Sequence, residues 1–426
     1  MPVWSIFGPD RRRAAARGVK MARISSSCLL PLAMLLTSPA TGQASAAGQT
    51  PAAAAEAGEI RFCPGAVARP YPLDSLRGVQ SLLLHNIAII NRGSAPAELQ
   101  SLRIELLRGG EVQDARTASG ASLAGLVRAG QAIEAQGLMQ LFAFQFCDGR
   151  LLSGAAISDG VSLGHDEALL WMQNVFAWRG SRDEVRVTAS LRRGASEEHA
   201  AASLRIDPAP SRTEFRWPLR RGPWLVGSGA SFHTTHRWAI PEEFALDILA
   251  VGADGRSHRG EGASNSDFLA YGAEVVAAAD GTVARLITGS TERPPLLRQV
   301  GEAMDAYMGR ISEQQAANIA AGEAGLMGDT VIIDHGNGES SVYAHLVPGS
   351  ASVRVGQAVR SGEAIGRLGS SGNSTEPHLH FQVCDAPSGV SCAGIVPNFT
   401  GIDLPVSDGP RPIQSGDLVI AAEPAA

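Results

Sequence analysis

The sequence lacks the features that would mark several familiar kinds of protein. It has no long hydrophobic run near its start, where the longest apolar stretch, Cys28 to Leu36, is too short to span a bilayer. It has no basic stripe with interleaved aromatics, and a net charge of −6 excludes an electrostatic footprint for nucleic acid. It has no Cys-x-x-Cys pair and no His-Glu-x-x-His helix, so it offers neither a zinc-thiolate site nor a zincin helix. Charge of either sign is scarce, at 18% of 426 residues, against 48 glycines and 24 prolines. That balance suits many turns and a β-rich, extracytoplasmic style of chain.

What is present begins with an export pattern. From Met21 the chain carries Arg23, a short apolar segment and the small residues Ala44-Ser45-Ala46. Residues 1–20 fit no signal, so Met21 is the expected true start. Residues 1–46 are expected to be removed and 47–58 to be flexible. The mature chain is then expected to be exported, periplasmic or extracellular, with no stable membrane insertion after cleavage. Cys28 would leave with the signal. The four cysteines that remain are expected to form two disulfides, Cys63–Cys147 and Cys384–Cys392.

Residues 59–207 read as a β-sandwich. Leu102, Ile104 and Leu106 alternate with polar residues, as do Val185, Val187, Ala189 and Leu191, between Gly-containing turns. His85, His165 and His199 have no partner motif there and read as structural or surface residues. Prolines from 208 to 223 mark a linker, 208–226. A second β domain follows over 227–400, with a C-terminal tail at 401–426. Within it, the runs about Asp280-Gly281 signal a hairpin. The spacing of Leu297, Val300, Met304, Met308 and Ile311 predicts a helical insertion at 294–323. The fold class is therefore mainly β: an N-terminal immunoglobulin-like sandwich, then a small antiparallel β domain with a helical insertion.

The second domain also carries the chemistry. His378 and His380 lie two residues apart on a strand expected to begin at or just after Pro377, so both imidazoles face one way while Leu379 and Phe381 face a core. Asp247 points away from its apolar neighbours Leu246 and Ile248. Tyr343 and His345 are expected to share a face. Two imidazoles and a carboxylate make a common zinc set with one open position. Asp247, His380 and either His233 or His236 could supply it. His345 and His378 would remain for proton transfer.

These segments resemble the lysostaphin-type zinc metalloendopeptidases. The resemblance rests on FALDIL (244–249), YGAEVVAAADGTV (271–283), VIIDHGNG (331–338), VYAHL (342–346), VRVGQAVRSGEAIG (353–366) and GNSTEPHLHF (372–381). It implies Zn2+ on Asp247, His380 and the first-motif histidine, His236 with His233 as the alternative, and catalytic roles for His345 and His378. The mechanism expected from this set has His378 deprotonating or orienting the water and His345 stabilising the tetrahedral intermediate. It implies hydrolysis of peptide bonds in peptidoglycan cross-links or stem peptides by metal-activated water. The competing reading is a non-catalytic peptidoglycan-binding or activator protein on the same fold. Chelation separates the two, since only the enzyme loses zinc and activity together.

Overall fold

A computed structural model describes residues 58–422, apart from 75, 76, 221 and 408–410. The expected export signal and nearly all of the expected flexible segment lie outside the described residues. No helix among the described residues is long and apolar enough to cross a membrane.

The chain is mainly β. Its N-terminal part is two stacked sheets. In one, Val79–Asn91 lies between Gly58–Cys63 and Glu167–Arg179. In the other, Ala97–Arg108 lies between Glu111–Ser119 and Glu184–Arg193, with Ser196–Arg205 beyond. Alternating residues of both sheets, among them Leu82, Leu84, Leu102, Ile104, Val185 and Val187, fill the space between them. The run LLLHNIAII within Val79–Asn91 is buried almost throughout because both its faces are covered. Ile87 and Ile89 face the sandwich interior, whereas Ala88 and Ile90 face outward into a second apolar cluster. A helix at Ala121–Ala135, not anticipated from the strand-like reading of 59–207, buries Leu123, Val127 and Ile133 at helical spacing. The Cys63–Cys147 disulfide ties the first strand to the turn after this helical segment.

The second cluster is shared with the following domain. Ala88, Ile90, Leu170 and Phe146 meet Ile240, Ile332, Val342 and Ala344 there. A fully buried isoleucine or leucine contributes roughly 1.5–3 kcal/mol, so this seam fixes the two parts against each other.

The second domain is built on a ten-stranded antiparallel sheet. Its centre runs Gly281–Ile287, Asp329–Asp334, Ser340–Leu346, Leu379–Cys384, Leu246–Leu249 and Trp224–Ser228. One face packs on Val331, Ile333, Tyr343, Phe381 and the surrounding core. Cys384–Cys392 closes the loop after the histidine strand.

Four sequence expectations change. The expected linker at 208–226 contributes to the second domain: Phe215, Trp217 and Leu219 alternate into its core and Trp224–Ser228 is a sheet strand. Within the expected C-terminal tail, Leu418–Ala421 joins the sheet by pairing with Trp224–Ser228 and buries Val419. The two runs about Asp280-Gly281 do not form a hairpin. Glu274–Val276 pairs with Ala364–Arg367, while Gly281–Ile287 pairs with Asp329–Asp334. Ala277 to Ala279 cross the core between them, with Ala278 N–H donating to the Tyr343 hydroxyl at 2.7 Å. The helical insertion begins only at Met304, running Met304–Ala320 and Gly322–Met327. Pro294, Pro295 and Gly301, the last at φ 79°, keep the preceding residues out of a helix.

Candidate metal centre

Asp247 and His380 are 133 residues apart in sequence but directly opposite each other in an antiparallel strand pair. Opposed residues project to the same face with Cβ atoms about 5 Å apart. Their neighbours Leu246, Ile248, Leu379 and Phe381 all turn into the core below. Period-two burial thus lifts a carboxylate and an imidazole to one side of a rigid sheet. His236 arrives from a short turn, His236–Trp238, and is 6% exposed. One ligand atom from each of His236, Asp247 and His380 lies within 4.8 Å of the others. His233 is exposed and outside this cluster.

The outer nitrogen of each imidazole is held by the protein. His236 Nδ1 lies 3.3 Å from the Ala245 carbonyl, leaving Nε2 3.2 Å from Asp247 Oδ2. His380 Nε2 lies 2.8 Å from Gln382 Oε1. Gln382 in turn donates its amide N–H to the Gly389 carbonyl at 3.0 Å, which fixes Oε1 as the acceptor. His380 therefore carries its proton on Nε2, and its Nδ1 faces Asp247 Oδ1 at 3.0 Å. Two acceptors at that separation repel unless a proton or a cation lies between them. The set of two imidazoles and one carboxylate, with outer hydrogen bonds already made, fits a divalent zinc ion. Sequence reasoning misses Gln382, although it shares the face of His380 two residues on.

His345 and His378 flank this group. Their rings lie 4.8 Å apart, and the His345 and His380 rings 5.8 Å apart. His345 does not share a face with Tyr343. The backbone at His345 is left-handed, φ 61°, which swings the imidazole across to the histidines while Tyr343 packs on Phe381. Its Nδ1 donates to the Ser371 carbonyl at 2.8 Å. His378 Nδ1 donates to the Glu376 carbonyl at 2.8 Å, and its Nε2 lies 3.4 Å from Asp247 Oδ1. The Gly-rich loop that holds both is close-packed. At Gly328, φ 66°, an added Cβ would collide with Ser371 Oγ. The insertion helix braces the same loop through Asn318, whose amide donates to the Gly372 carbonyl at 3.2 Å.

Burial and mutual charge set the protonation preferences of these side chains. Burial opposes the charge of Asp247, but His236 and His378 outweigh it and hold the carboxyl well below its usual range. Burial likewise opposes protonation of His236, yet the Asp247 carboxylate prevails and raises it to about 9. His378 is raised by the same carboxylate against the same burial. His345 is the opposite case: burial, then the neighbouring His378 and His380, push it well below the ordinary imidazole value. It is neutral at pH 7, with its proton committed to Ser371 and a lone pair on Nε2.

Residues 305–391 match the model of Peptidase family M23, a span that holds His345, His378 and His380 but not His236 or Asp247. The chain is 48% identical over 61 residues to the DD-carboxypeptidase/endopeptidase Mpg of Neisseria meningitidis serogroup B, 14% of each protein. It is 36% identical over 69 residues to the cell division protein DipM of Caulobacter vibrioides, 16% of this chain and 11% of that one. The matched segment thus spans about one seventh of the first curated relatives. Among solved structures, similarity extends to the catalytic domain of lysostaphin from Staphylococcus simulans, at 18% identity and TM-score 0.22, over 41% of this chain and 88% of that one. It extends also to Csd3 of Helicobacter pylori, at 13% identity and TM-score 0.24, over 75% and 70%.

Proposed function

We propose, from the Peptidase family M23 domain that this chain carries, that it is an exported zinc-dependent endopeptidase cutting peptide bonds in peptidoglycan cross-links or stem peptides. The observation that carries this reading is the convergence of His236, Asp247 and His380, each imidazole presenting its inner nitrogen to one carboxylate. Those three side chains would hold Zn2+. The ion would supply a Lewis acid that polarises the scissile carbonyl and activates water near neutral pH.

The chain's own residues do the rest. Gln382 and the Ala245 carbonyl hold the two ligand rings in register. His345, neutral and bare at Nε2, is suited to accept a proton from the attacking water. His378, whose proton Asp247 favours, is suited to donate to the oxyanion or the leaving amine. This reverses the roles expected from the sequence, because the His345 N–H is already committed to a carbonyl. The substrate class follows the relatives' names, which include a DD-carboxypeptidase/endopeptidase. Digestion of purified wall material, with the released termini read by mass spectrometry, tests it. Newly exposed amino termini that vanish on chelation are expected. Binding to the wall material without any new terminus, with or without zinc, would instead favour a non-catalytic binder.

A further inference from the structure

The loop that carries His236 is held in part by the other domain. Gln145, from the short turn Ala143–Phe146 of the sandwich part, donates to the Trp238 carbonyl at 3.0 Å and accepts from Ile240 N–H at 3.0 Å. One side chain therefore brackets the residues just after His236. The Gln145 carbonyl itself is anchored by the Asn86 amide. Next to His236 sits Arg237, wholly buried, paired with buried Glu243 across the loop. The sandwich strand Val79–Asn91 completes that pair. His85 Nε2 contacts Glu243 Oε2 at 2.8 Å, and the Arg237 guanidinium lies 3.3 Å from Ser81 Oγ and 3.4 Å from the Ser81 carbonyl. Tyr71 stacks on Phe244 with ring centroids 6.1 Å apart, and the guanidinium lies over the rings of Phe232, Phe244 and Tyr71 at 5.4 to 6.0 Å.

Burying a guanidinium and a carboxylate is costly unless geometry and further hydrogen bonds compensate. Here much of the compensation comes from another domain, and it falls on the loop of one ligand, not on the strands of the other two. Asp247 and His380 sit on paired strands and have their register from the sheet. His236 has no such strand and depends on its loop.

We infer that the N-terminal sandwich is a structural half of the metal centre: Gln145, His85 and Ser81 are positioning residues that set His236 through its loop. This rests on the zinc reading above.

The test is the zinc affinity of the full chain, measured by competition with a chromophoric chelator after metal removal, alongside the melting temperature of the metal-free form. Gln145→Leu removes both loop bonds without stranding a charge. It is expected to weaken zinc by up to about 10-fold, the low end of what losing a hydrogen bond made directly to a ligand costs, because Gln145 acts on His236 through its loop. His85→Leu is expected to do likewise, and His85→Gln, whose amide can still donate to Glu243, to recover most of the affinity. Lower melting temperature with zinc affinity unchanged in Gln145→Leu would overturn the inference, since the contacts would then be merely structural. Ser81→Ala replaces His85→Leu if that variant fails to fold, with the same expectation in milder form. A wild-type chain that bound no zinc would sink the zinc reading itself, a result distinct from wild-type affinity in the variants.

Discussion

Metal binding should expel a proton, and the number can be worked out. In the metal-free site Asp247 holds a proton on His236 with a pKa of about 9. At pH 7, two units lower, about 99 of 100 molecules carry it. Zinc must displace it from Nε2, which lowers apparent affinity at pH 7 by on the order of a hundredfold. Affinity should therefore rise about tenfold per pH unit until pH approaches 9. Titrating zinc into chelator-treated protein, in two buffers of different ionisation enthalpy, counts the protons released. At least one per zinc is expected at pH 7. The same group links stability to pH with a definite sign. A histidine whose folded pKa is raised contributes stability that is complete below its unfolded pKa of 6.5 and is lost as pH rises through about 9. The contribution is on the order of 3 kcal/mol. Metal-free protein should thus melt lower at pH 9 than at pH 6.5. No proton release, with affinity flat from pH 7 to 8, would refute the account of how Asp247 and His236 are paired.

Other outcomes follow from single contacts. Gln382→Leu leaves the His380 N–H without its acceptor and should weaken zinc about 10- to 100-fold while the protein stays folded, read by chelator competition. His345→Ala should bind zinc as the parent does yet lose hydrolysis by at least about 100-fold, the scale of general-base catalysis, in a peptide-release assay. Gly328→Ala should destabilise the fold by ~2 kcal/mol or more in urea unfolding, because its φ of 66° disfavours a side chain and the new Cβ would press on Ser371, which holds His345.

The parts of the site legible in sequence are those that ride on strand alternation. Leu379 and Phe381 inward put His380 outward, and Leu246 and Ile248 do the same for Asp247. Their cross-strand pairing is a long-range contact that no local pattern carries. The face of His345 is not legible, because a left-handed histidine at a strand end has no glycine to announce it. The helix at Ala121–Ala135 has Leu123, Leu126 and Val127 at helical spacing, but its many alanines and glycines blunt the contrast between faces. Phe215, Trp217 and Leu219 alternate like a strand yet sit among prolines, so they read as linker. Arg237, Glu243, His85 and Gln145 are unremarkable singly, and only folding brings two domains' polar groups to one loop.

The most direct check is metal content. Dialysed wild-type protein, Asp247→Ala and His380→Ala would be analysed for zinc by mass spectrometry, with folding verified by circular dichroism. One equivalent in the wild type and essentially none in either folded variant is predicted. A full equivalent retained by folded Asp247→Ala would contradict a shared ion at this carboxylate.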